Sequence, residues 1–370
     1  MRSSAIGSDT GGAVVVPAHG PARWRKALGR KCGRKLRGHL LLGLAAGLLL
    51  PAAHAGTHAP YAVVARIPAP SGGWDYSTVD SSVDRLYLAR GPGVLALDLK
   101  THEVTATAFK GQGVHIAEPV GKTGLVLVTN GDTDTASIFE SRTRGLVGTV
   151  KVGQGPDAAV YDPGTGLVAV INHRGGSVSL IDALQASLVR TIEVGGVLES
   201  AAPAGDGTLF VNVANRHEVA VLDLNAGTVL RRYPLKGCED PSGLVYDAAD
   251  NLLASVCGNG ITKFLRAADG KPVATLHTGL GSDGLMFDAR DKLLFVPAAK
   301  HGELTVVRLG AGPPRVVQRL KTGPGARSGA FDPRTGLIYL PSAKLGPPRP
   351  PVPWPTVVPG TFRILVVGAR

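Results

Sequence analysis

Hydrophobic and polar positions alternate with a period of two over most of the chain. The stretch from Thr149 to Glu193 shows this best, with four short apolar runs separated by turn residues such as DPGTG at 162–166. A period of two places successive side chains on opposite faces of a β-strand. We therefore predict four antiparallel strands here, joined by tight turns.

The same unit recurs along the chain. The leucine that opens its second strand is found seven times, at intervals of 39 to 44 residues, at Leu86, Leu125, Leu167, Leu209, Leu252, Leu293 and Leu337. Several copies follow an Asp-initiated turn, as in YDPGTGL, YDAADNL, FDARDKL and FDPRTGL. Four strands repeated about every 42 residues are typical of a propeller blade. We predict an all-β fold, a seven-bladed β-propeller with four-stranded blades.

The seventh unit contains only three strand-like runs. The run YAVVARI at 61–67 matches the missing fourth strand. We predict that this N-terminal strand completes the C-terminal blade, which closes the ring and leaves no open sheet edge between first and last blades. A single propeller domain would then span residues 56–370.

The N-terminal segment has a different composition. Residues 2–37 carry nine Lys or Arg and one acid, and the apolar run LLLGLAAGLLLP at 40–51 is followed by Ala53-His54-Ala55. This order predicts a secretory signal peptide over 1–55, cleaved after Ala55, and a periplasmic or secreted protein. An uncleaved anchor is the alternative, although the run is shorter than the roughly 20 apolar residues of a membrane span.

Most of the positive charge lies in this segment. The whole chain carries a net charge of +12, but removing residues 1–55 leaves 31 basic and 27 acidic residues. The basicity is therefore weak support for nucleic-acid binding. We expect a monomer with no transmembrane segment after signal cleavage.

Two cysteines remain in the exported part, Cys238 and Cys257. They flank a predicted hairpin in the fifth blade, and export places them where disulfides persist. We predict a disulfide between them, with two buried thiols as the alternative.

One residue per blade is predicted to lie at the channel mouth, five positions before the turn aspartate. These residues are Asp75, His115, Asp157, Glu199, Ser242, Asp283 and Arg327, with Asp240 two residues before Ser242. Three interpretations stay open. Carboxylates of Asp157, Glu199 and Asp283 could hold a divalent cation such as Ca²⁺. Asp and His could act as acid and base with Arg327 orienting an anion. Alternatively, a wet channel simply requires polar residues.

A second ring of candidate residues is expected on the same face. The rim would comprise Trp74, Arg174, Arg216, His217, Lys300, His301 and Trp354. Its side chains could dock a partner or simply face solvent. The proline-rich insertion at 343–360 is predicted to be extended polyproline, serving as a lid, a docking strip or a rigid ornament.

The third unit carries a recognisable order of motifs. It has a VGxGP turn, a strand ending in Asp-Pro, a strand ending in Asn, and V-x-L-I-D. This order is similar to the YncE/YVTN-type seven-bladed β-propeller family, over about residues 61–370. The first blade departs from it with Gly72-Gly73-Trp74, and the fifth with Cys257 in place of Asn. The resemblance implies an exported binding or scaffold protein.

Three functions follow as hypotheses. The first is an exported propeller that binds a ligand or a protein partner at the channel-mouth face, without catalysis. The alternative is a metal-assisted enzyme, lactonase- or lyase-like, that uses the acidic mouth. The third is single-stranded nucleic-acid binding, which the low aromatic content of 5% disfavours.

Overall fold

The computed structural model describes residues 59–349 and 352–370, and only the backbone at 349 and 352–354. The predicted signal peptide, 1–55, lies outside the described residues. Within them the chain forms seven four-stranded sheets, each with antiparallel neighbours. The predicted all-β, seven-bladed propeller is confirmed.

The strands follow the repeat. The chain starts with β1 (Tyr61–Pro68), which belongs to the last blade. Blade 1 contains β2 (Ser77–Asp80), β3 (Arg85–Ala89), β4 (Gly91–Asp98) and β5 (Val104–Val114). Blade 2 contains β6 (Ala117–Pro119), β7 (Leu125–Asn130), β8 (Thr135–Glu140) and β9 (Leu146–Lys151). Blade 3 contains β10 (Pro156–Asp162), β11 (Leu167–Asn172), β12 (Ser177–Asp182) and β13 (Ser187–Glu193). Blade 4 contains β14 (Leu198–Pro203), β15 (Thr208–Val213), β16 (Glu218–Asp223) and β17 (Thr228–Pro234). Blade 5 contains β18 (Pro241–Asp247), β19 (Leu252–Cys257), β20 (Ile261–Arg266) and β21 (Pro272–His277). Blade 6 contains β22 (Met286–Asp288), β23 (Leu293–Ala298), β24 (Glu303–Arg308) and β25 (Arg315–Lys321). Blade 7 and its insertion contain β26 (Ala330–Asp332), β27 (Leu337–Ser342), β28 (Leu345–Arg349), β29 (Val352–Val357) and β30 (Arg363–Ala369).

The turn aspartates have a structural role. In blade 3 the buried carboxylate of Asp162 accepts hydrogen bonds from the backbone N–H and the hydroxyl of Thr165, both at 2.9 Å. In blade 7, Asp332 binds Arg334 N–H and the Thr335 hydroxyl in the same way. These contacts hold the tight turn before each second strand, which is why the spacing of the repeat is so regular.

The N-terminal strand closes the ring as predicted. Strand β1 pairs antiparallel with β30, with Tyr61 opposite Ala369. The Gln318 side chain of blade 6 binds the same strand, since its amide oxygen accepts from Tyr61 N–H at 2.9 Å and its amide nitrogen donates to Tyr61 C=O at 2.8 Å. The Tyr61 ring also packs edge-on against Phe295, with 5.0 Å between centroids. Strand β1 is thus paired within blade 7 and also held against blade 6.

The proline-rich insertion forms a hairpin instead of extended polyproline. Strand β28 pairs antiparallel with β29, with Leu345 opposite Val357 and Gly346 opposite Thr356. The Thr356 hydroxyl donates to the Pro347 carbonyl at 3.0 Å. Pairing is retained because the residues between the prolines still supply hydrogen-bonding groups. The side chain of Trp354 lies outside the described residues.

The predicted disulfide is confirmed. Cys238 and Cys257 are joined by an S–S bond of 2.07 Å, and both are buried. The bond ties the loop before β18 to the end of β19, where Pro241 lies opposite Cys257. Among the described residues, no helix is both long and apolar enough to cross a membrane.

The apolar core lies between neighbouring blades. Leu180 and Ile192 of blade 3 pack in one cluster with Leu209 and Val211 of blade 4, all of them buried. Full burial of each such side chain contributes about 1.5–3 kcal/mol. Packing of this kind around the ring fixes the starts of the innermost strands, where the polar residues of the mouth lie.

Candidate functional site

Six of the seven predicted mouth residues have carboxylate, imidazole or guanidinium groups, and each comes from a different blade. They lie at or just before an innermost strand, in the order Asp75, His115, Asp157, Glu199, Asp283 and Arg327. Backbone hydrogen bonds connect neighbouring blades at this level. Tyr76 N–H donates to His115 C=O at 3.1 Å, and Asp283 N–H donates to Arg327 C=O at 2.9 Å.

His115 lies between two carboxylates. Its Nδ1 is 2.7 Å from Oδ2 of Asp75 and 2.9 Å from Oδ1 of Asp157. Burial disfavours the charged imidazolium, yet hydrogen bonds and charges from Asp157 and Asp75 outweigh it and raise the pKa of His115 to about 10. Burial in turn raises the pKa of Asp75. The three side chains form one cluster, because both carboxylates contact the same imidazole nitrogen.

A second histidine joins the mouth from the outer loops. Nδ1 of His173, in the loop after β11, is 3.2 Å from Oε1 of Glu199 and 2.8 Å from the Leu198 carbonyl oxygen. The hydrogen bond to Glu199 raises the pKa of His173, and burial raises the pKa of Glu199. His173 was not predicted as a mouth residue, because spacing alone does not show that its loop turns toward Glu199.

Arg327 supplies the positive side of the mouth. Its Nε is 3.0 Å from Oδ2 of Asp283, its Nη2 is 3.7 Å from Oδ1 of Asp75, and Nη2 donates to the Trp74 carbonyl at 2.8 Å. Burial and the charge of Asp75 raise the pKa of Asp283 to about 7, against the opposing effect of Arg327. Asp283 is paired with Arg327 and belongs to neither of the ligand groups described below, so its role as a cation ligand stays a prediction.

Within the part of the chain that the structure describes, potential metal ligands fall into two overlapping groups. One comprises Asp75, His115 and Asp157, the other Asp157, His173 and Glu199, and within each group the ligand atoms lie within 4.8 Å of one another. Asp157 belongs to both. Carboxylate and imidazole together suit divalent first-row metals.

Tyr76, the residue after Asp75, is close enough to these groups to feel their charges and was not predicted. It starts in blade 1 and packs against apolar clusters that contain Ala158 of blade 3 and Ile116 of blade 2. Burial, followed by the charges of Asp283, Asp157, Glu199 and Asp75, raises its pKa well above the usual value. The sequence does hold a signal for it. In the other blades the residue after the predicted mouth residue is mostly small, which leaves room for one large aromatic side chain. These residues are Ile116, Ala158, Ser200, Gly243, Gly284 and Ser328.

Glu118 is a second polar residue that the sequence analysis missed. It lies in the innermost strand of blade 2 and accepts a hydrogen bond from Tyr161 N–H of blade 3 at 3.2 Å. Burial raises the pKa of its carboxyl to about 8. An acid stands here where the other blades carry Thr78, Val160, Ala202, Val245, Met286 and Ala330, so the exception was visible in the sequence.

Two predicted mouth residues stand apart. Asp240 is exposed, has a positive φ of 46°, and belongs to neither ligand group. Ser242 is buried, and its hydroxyl donates to the Ser282 carbonyl at 3.4 Å. The Ser242 hydroxyl therefore links blade 5 to the loop that leads into β22 of blade 6.

Trp74 is a core residue, which corrects its prediction as a rim residue. Only 8% of its surface is exposed, and its ring packs edge-on against Phe362 with 5.3 Å between centroids. At Gly325, which has a φ of 75°, an added Cβ would lie 3.1 Å from the ring. The glycine lets the tryptophan settle between blades 7 and 1, where its apolar area is buried.

The predicted basic rim residues are exposed but differ in their contacts. Arg174 reaches the neighbouring blade, where Nη2 donates to the Gly131 carbonyl at 2.8 Å. Arg216 and His217 lie in the exposed loop after β15. Lys300 and His301 line an open groove of about 780 Å³ between blades 5 and 6, together with Arg319 and other residues.

Comparisons with known proteins identify the fold. No protein-family model matches the chain, and no curated protein matches it. A chain of the Kuenenia stuttgartiensis hydrazine synthase aligns with a TM-score of 0.64 and 17% identity, covering 75% of this chain and 94% of that chain. A chain of the mitotic checkpoint complex aligns at 0.68 and 14% identity, covering 82% and 96%.

The WD40 repeats of RRP9 align with a TM-score of 0.68 and 10% identity, covering 82% of this chain and 97% of that chain. Identities this low establish the architecture alone. The YncE/YVTN-type resemblance stays a prediction. What the structure and these neighbours support together is that the chain is a seven-bladed β-propeller.

Proposed function

We propose that this protein is an exported propeller scaffold that binds a divalent metal ion at the mouth of its channel, and a ligand or partner on the same face. The observation that carries the proposal is the position of His115. Its Nδ1 lies 2.7 Å from a carboxylate oxygen of Asp75 and 2.9 Å from one of Asp157. Three neighbouring blades thus bring three metal-binding atoms close together.

Geometry supports a metal at this point. An imidazole nitrogen carries at most one proton, so it can donate one good hydrogen bond, yet two carboxylate oxygens converge on Nδ1 of His115. A metal bound at about 2.0–2.2 Å by imidazole and carboxylate holds those ligand atoms roughly 3 Å apart. The separations in the structure are close to that value.

Electrostatics supports a cation. Burial raises the pKa values of Asp75 and Glu199, and the charge of Asp157 contributes to both. Charged carboxylates held this close repel, and a cation between them would remove that cost. The metal would therefore stabilise the folded propeller as well as occupy the site.

The ligand types favour Zn²⁺ or Mn²⁺ over Ca²⁺. Calcium prefers a shell of six to eight oxygens, whereas imidazole nitrogens suit first-row metals. Both ligand groups contain a histidine. Asp283, a ligand in the calcium hypothesis, is instead paired with Arg327.

The test is calorimetric titration of metal-free protein with Zn²⁺, Mn²⁺ and Ca²⁺. We expect saturable binding of Zn²⁺ or Mn²⁺, with affinity lowered at least about tenfold in Asp157→Asn. The matched control is Asp240→Asn, an exposed acid of the same loop face outside both groups. Unchanged metal affinity in Asp157→Asn, or no binding by the native protein, would refute the proposal.

Export is the second part of the proposal. The basic segment, apolar run and Ala53-His54-Ala55 sequence support it, and the Cys238–Cys257 disulfide suits an oxidising compartment. Fractionation of cells with N-terminal sequencing tests this part. A protein in the exported fraction beginning near Gly56 supports it, whereas a cytoplasmic protein that retains residues 1–55 contradicts it.

A metal-assisted enzyme is the second candidate function. It is favoured by Arg327 and Tyr76, because a guanidinium to orient an anion and a phenol to share a proton adjoin the ligand groups. A metal there could polarise a carbonyl or activate water. Hydrolysis of lactones that depends on added metal and is lost in Arg327→Lys would support it. Ligand binding without turnover would contradict the enzyme and support the binding function only.

A further inference from the structure

We propose that the mouth holds two metal ions, with the Asp157 carboxylate shared between them. This inference rests on the proposed metal-binding function. Its basis is the overlap of the two ligand groups, since Asp75 with His115 and His173 with Glu199 each form a group with Asp157. The two ions would lie side by side across the axis.

Asp157 has the bonding capacity for a bridge. Its Oδ1 is 2.9 Å from Nδ1 of His115, which assigns that oxygen to the first ion. The other carboxylate oxygen is then available to a second ion. Bridged metals lie about 3.5–4 Å apart. The main chain of Asp157 is held in place, because its carbonyl accepts a hydrogen bond from the buried Thr129 hydroxyl at 2.9 Å.

The second group has the features of a metal site. Nδ1 of His173 is 3.2 Å from Oε1 of Glu199. The same Nδ1 lies 2.8 Å from the Leu198 carbonyl oxygen. A histidine that binds metal through one nitrogen commonly donates from the other to a carbonyl, which sets its tautomer and ring orientation. Because the Leu198 carbonyl occupies Nδ1 of His173, Nε2 would be the nitrogen that binds the second ion.

Charge balance favours two ions over one. One dication against the carboxylates of Asp75, Asp157 and Glu199 leaves net negative charge in a partly buried site. Two dications, these three carboxylates and a bridging hydroxide sum to zero.

The experiment loads metal-free protein with Mn²⁺ and measures bound equivalents by equilibrium dialysis, together with the electron paramagnetic resonance spectrum. We expect two equivalents and a spectrum of exchange-coupled ions in the native protein. Asp75→Asn and Glu199→Gln, one from each group, should each bind one equivalent and show isolated ions. Asp157→Asn should weaken both sites, and Asp240→Asn should change neither.

The outcomes separate the two levels of the argument. One equivalent with an uncoupled spectrum in the native protein overturns the two-ion centre and leaves metal binding intact. Two equivalents retained by Glu199→Gln also overturn it. No bound Mn²⁺ in the native protein overturns both. If Glu199→Gln fails to fold by circular dichroism, His173→Gln tests the same group from its other ligand.

Discussion

Nδ1 of His115 and Oδ1 of Asp157 lie 2.9 Å apart, although they come from neighbouring blades. Thr129 links the two backbones, because its buried hydroxyl accepts from Ile116 N–H at 3.2 Å and donates to the Asp157 carbonyl at 2.9 Å. A single side chain thus sets the spacing between two proposed ligands. The contacts of Thr129 make it a positioning residue for the site.

Replacing Thr129 by Val should lower metal affinity about tenfold, since outer contacts of this kind commonly tune metal binding by that much. Thr129→Val keeps the shape and removes the hydroxyl, whereas Thr129→Ser keeps the hydroxyl. Titration calorimetry with Mn²⁺ compares the two. Affinity that falls as far in Thr129→Ser, which keeps the hydroxyl, as in Thr129→Val would contradict the role given to these hydrogen bonds.

Gln318→Ala should loosen the closure of the ring. The amide makes two hydrogen bonds to the backbone of Tyr61, and its loss should lower the free energy of unfolding by about 1–2 kcal/mol. Amide exchange at Tyr61 should quicken more than exchange in blade 3. The control is Gln185→Ala at an exposed turn. Identical exchange in both variants would contradict the role given to Gln318.

Glu118 should make the stability of the metal-free protein depend on pH. Burial raises its pKa from 4.5 to about 8, so the folded state holds the proton more tightly than the unfolded chain. The stabilisation is full below pH 4.5 and is lost as pH rises through about 8. Glu118→Gln should reduce this loss of unfolding free energy with rising pH by on the order of 2 kcal/mol.

Denaturant unfolding at pH 5 and pH 8 measures the effect. Glu239→Gln, at an exposed position, is the control and should behave like the native protein. A pH dependence unchanged by Glu118→Gln would show that its carboxyl titrates alike in folded and unfolded states.

The disulfide should stabilise blade 5. Its two cysteines are 19 residues apart, and closing a loop of that length is worth about 3 kcal/mol. Cys238→Ala with Cys257→Ala should lower the free energy of unfolding by about that amount. Reductant should lower the unfolding midpoint of the native protein and have no effect on the double variant. A midpoint in the native protein that does not respond to verified reduction would contradict this.

The sequence allowed prediction of the blades but only part of the mouth. Strand periodicity and turn aspartates such as Asp162 are local signals, so they set the number of blades, the pairing of Tyr61 with the last blade and the order of residues around the axis. Side-chain directions depend on neighbours across the axis. The approach of His173 to Glu199 and the reach of Tyr76 to other blades could not follow from spacing.

The other differences have the same physical origin. Trp74 was assigned to the rim because its loop lies there, but Phe362, distant in sequence, offers its ring a buried partner. The proline-rich insertion pairs with itself because Gly346 and Thr356 meet across the hairpin. In both cases a contact between distant residues outweighs local preference.

Metal binding among His115, Asp75 and Asp157 can be tested with an anomalous difference map from a crystal of Mn²⁺-loaded protein, collected above and below the metal absorption edge. We expect an edge-dependent peak about 2.0–2.3 Å from Nδ1 of His115 and from a carboxylate oxygen of Asp157. No peak among these three side chains at saturating metal, or a peak only at His301 or another surface histidine, would contradict it.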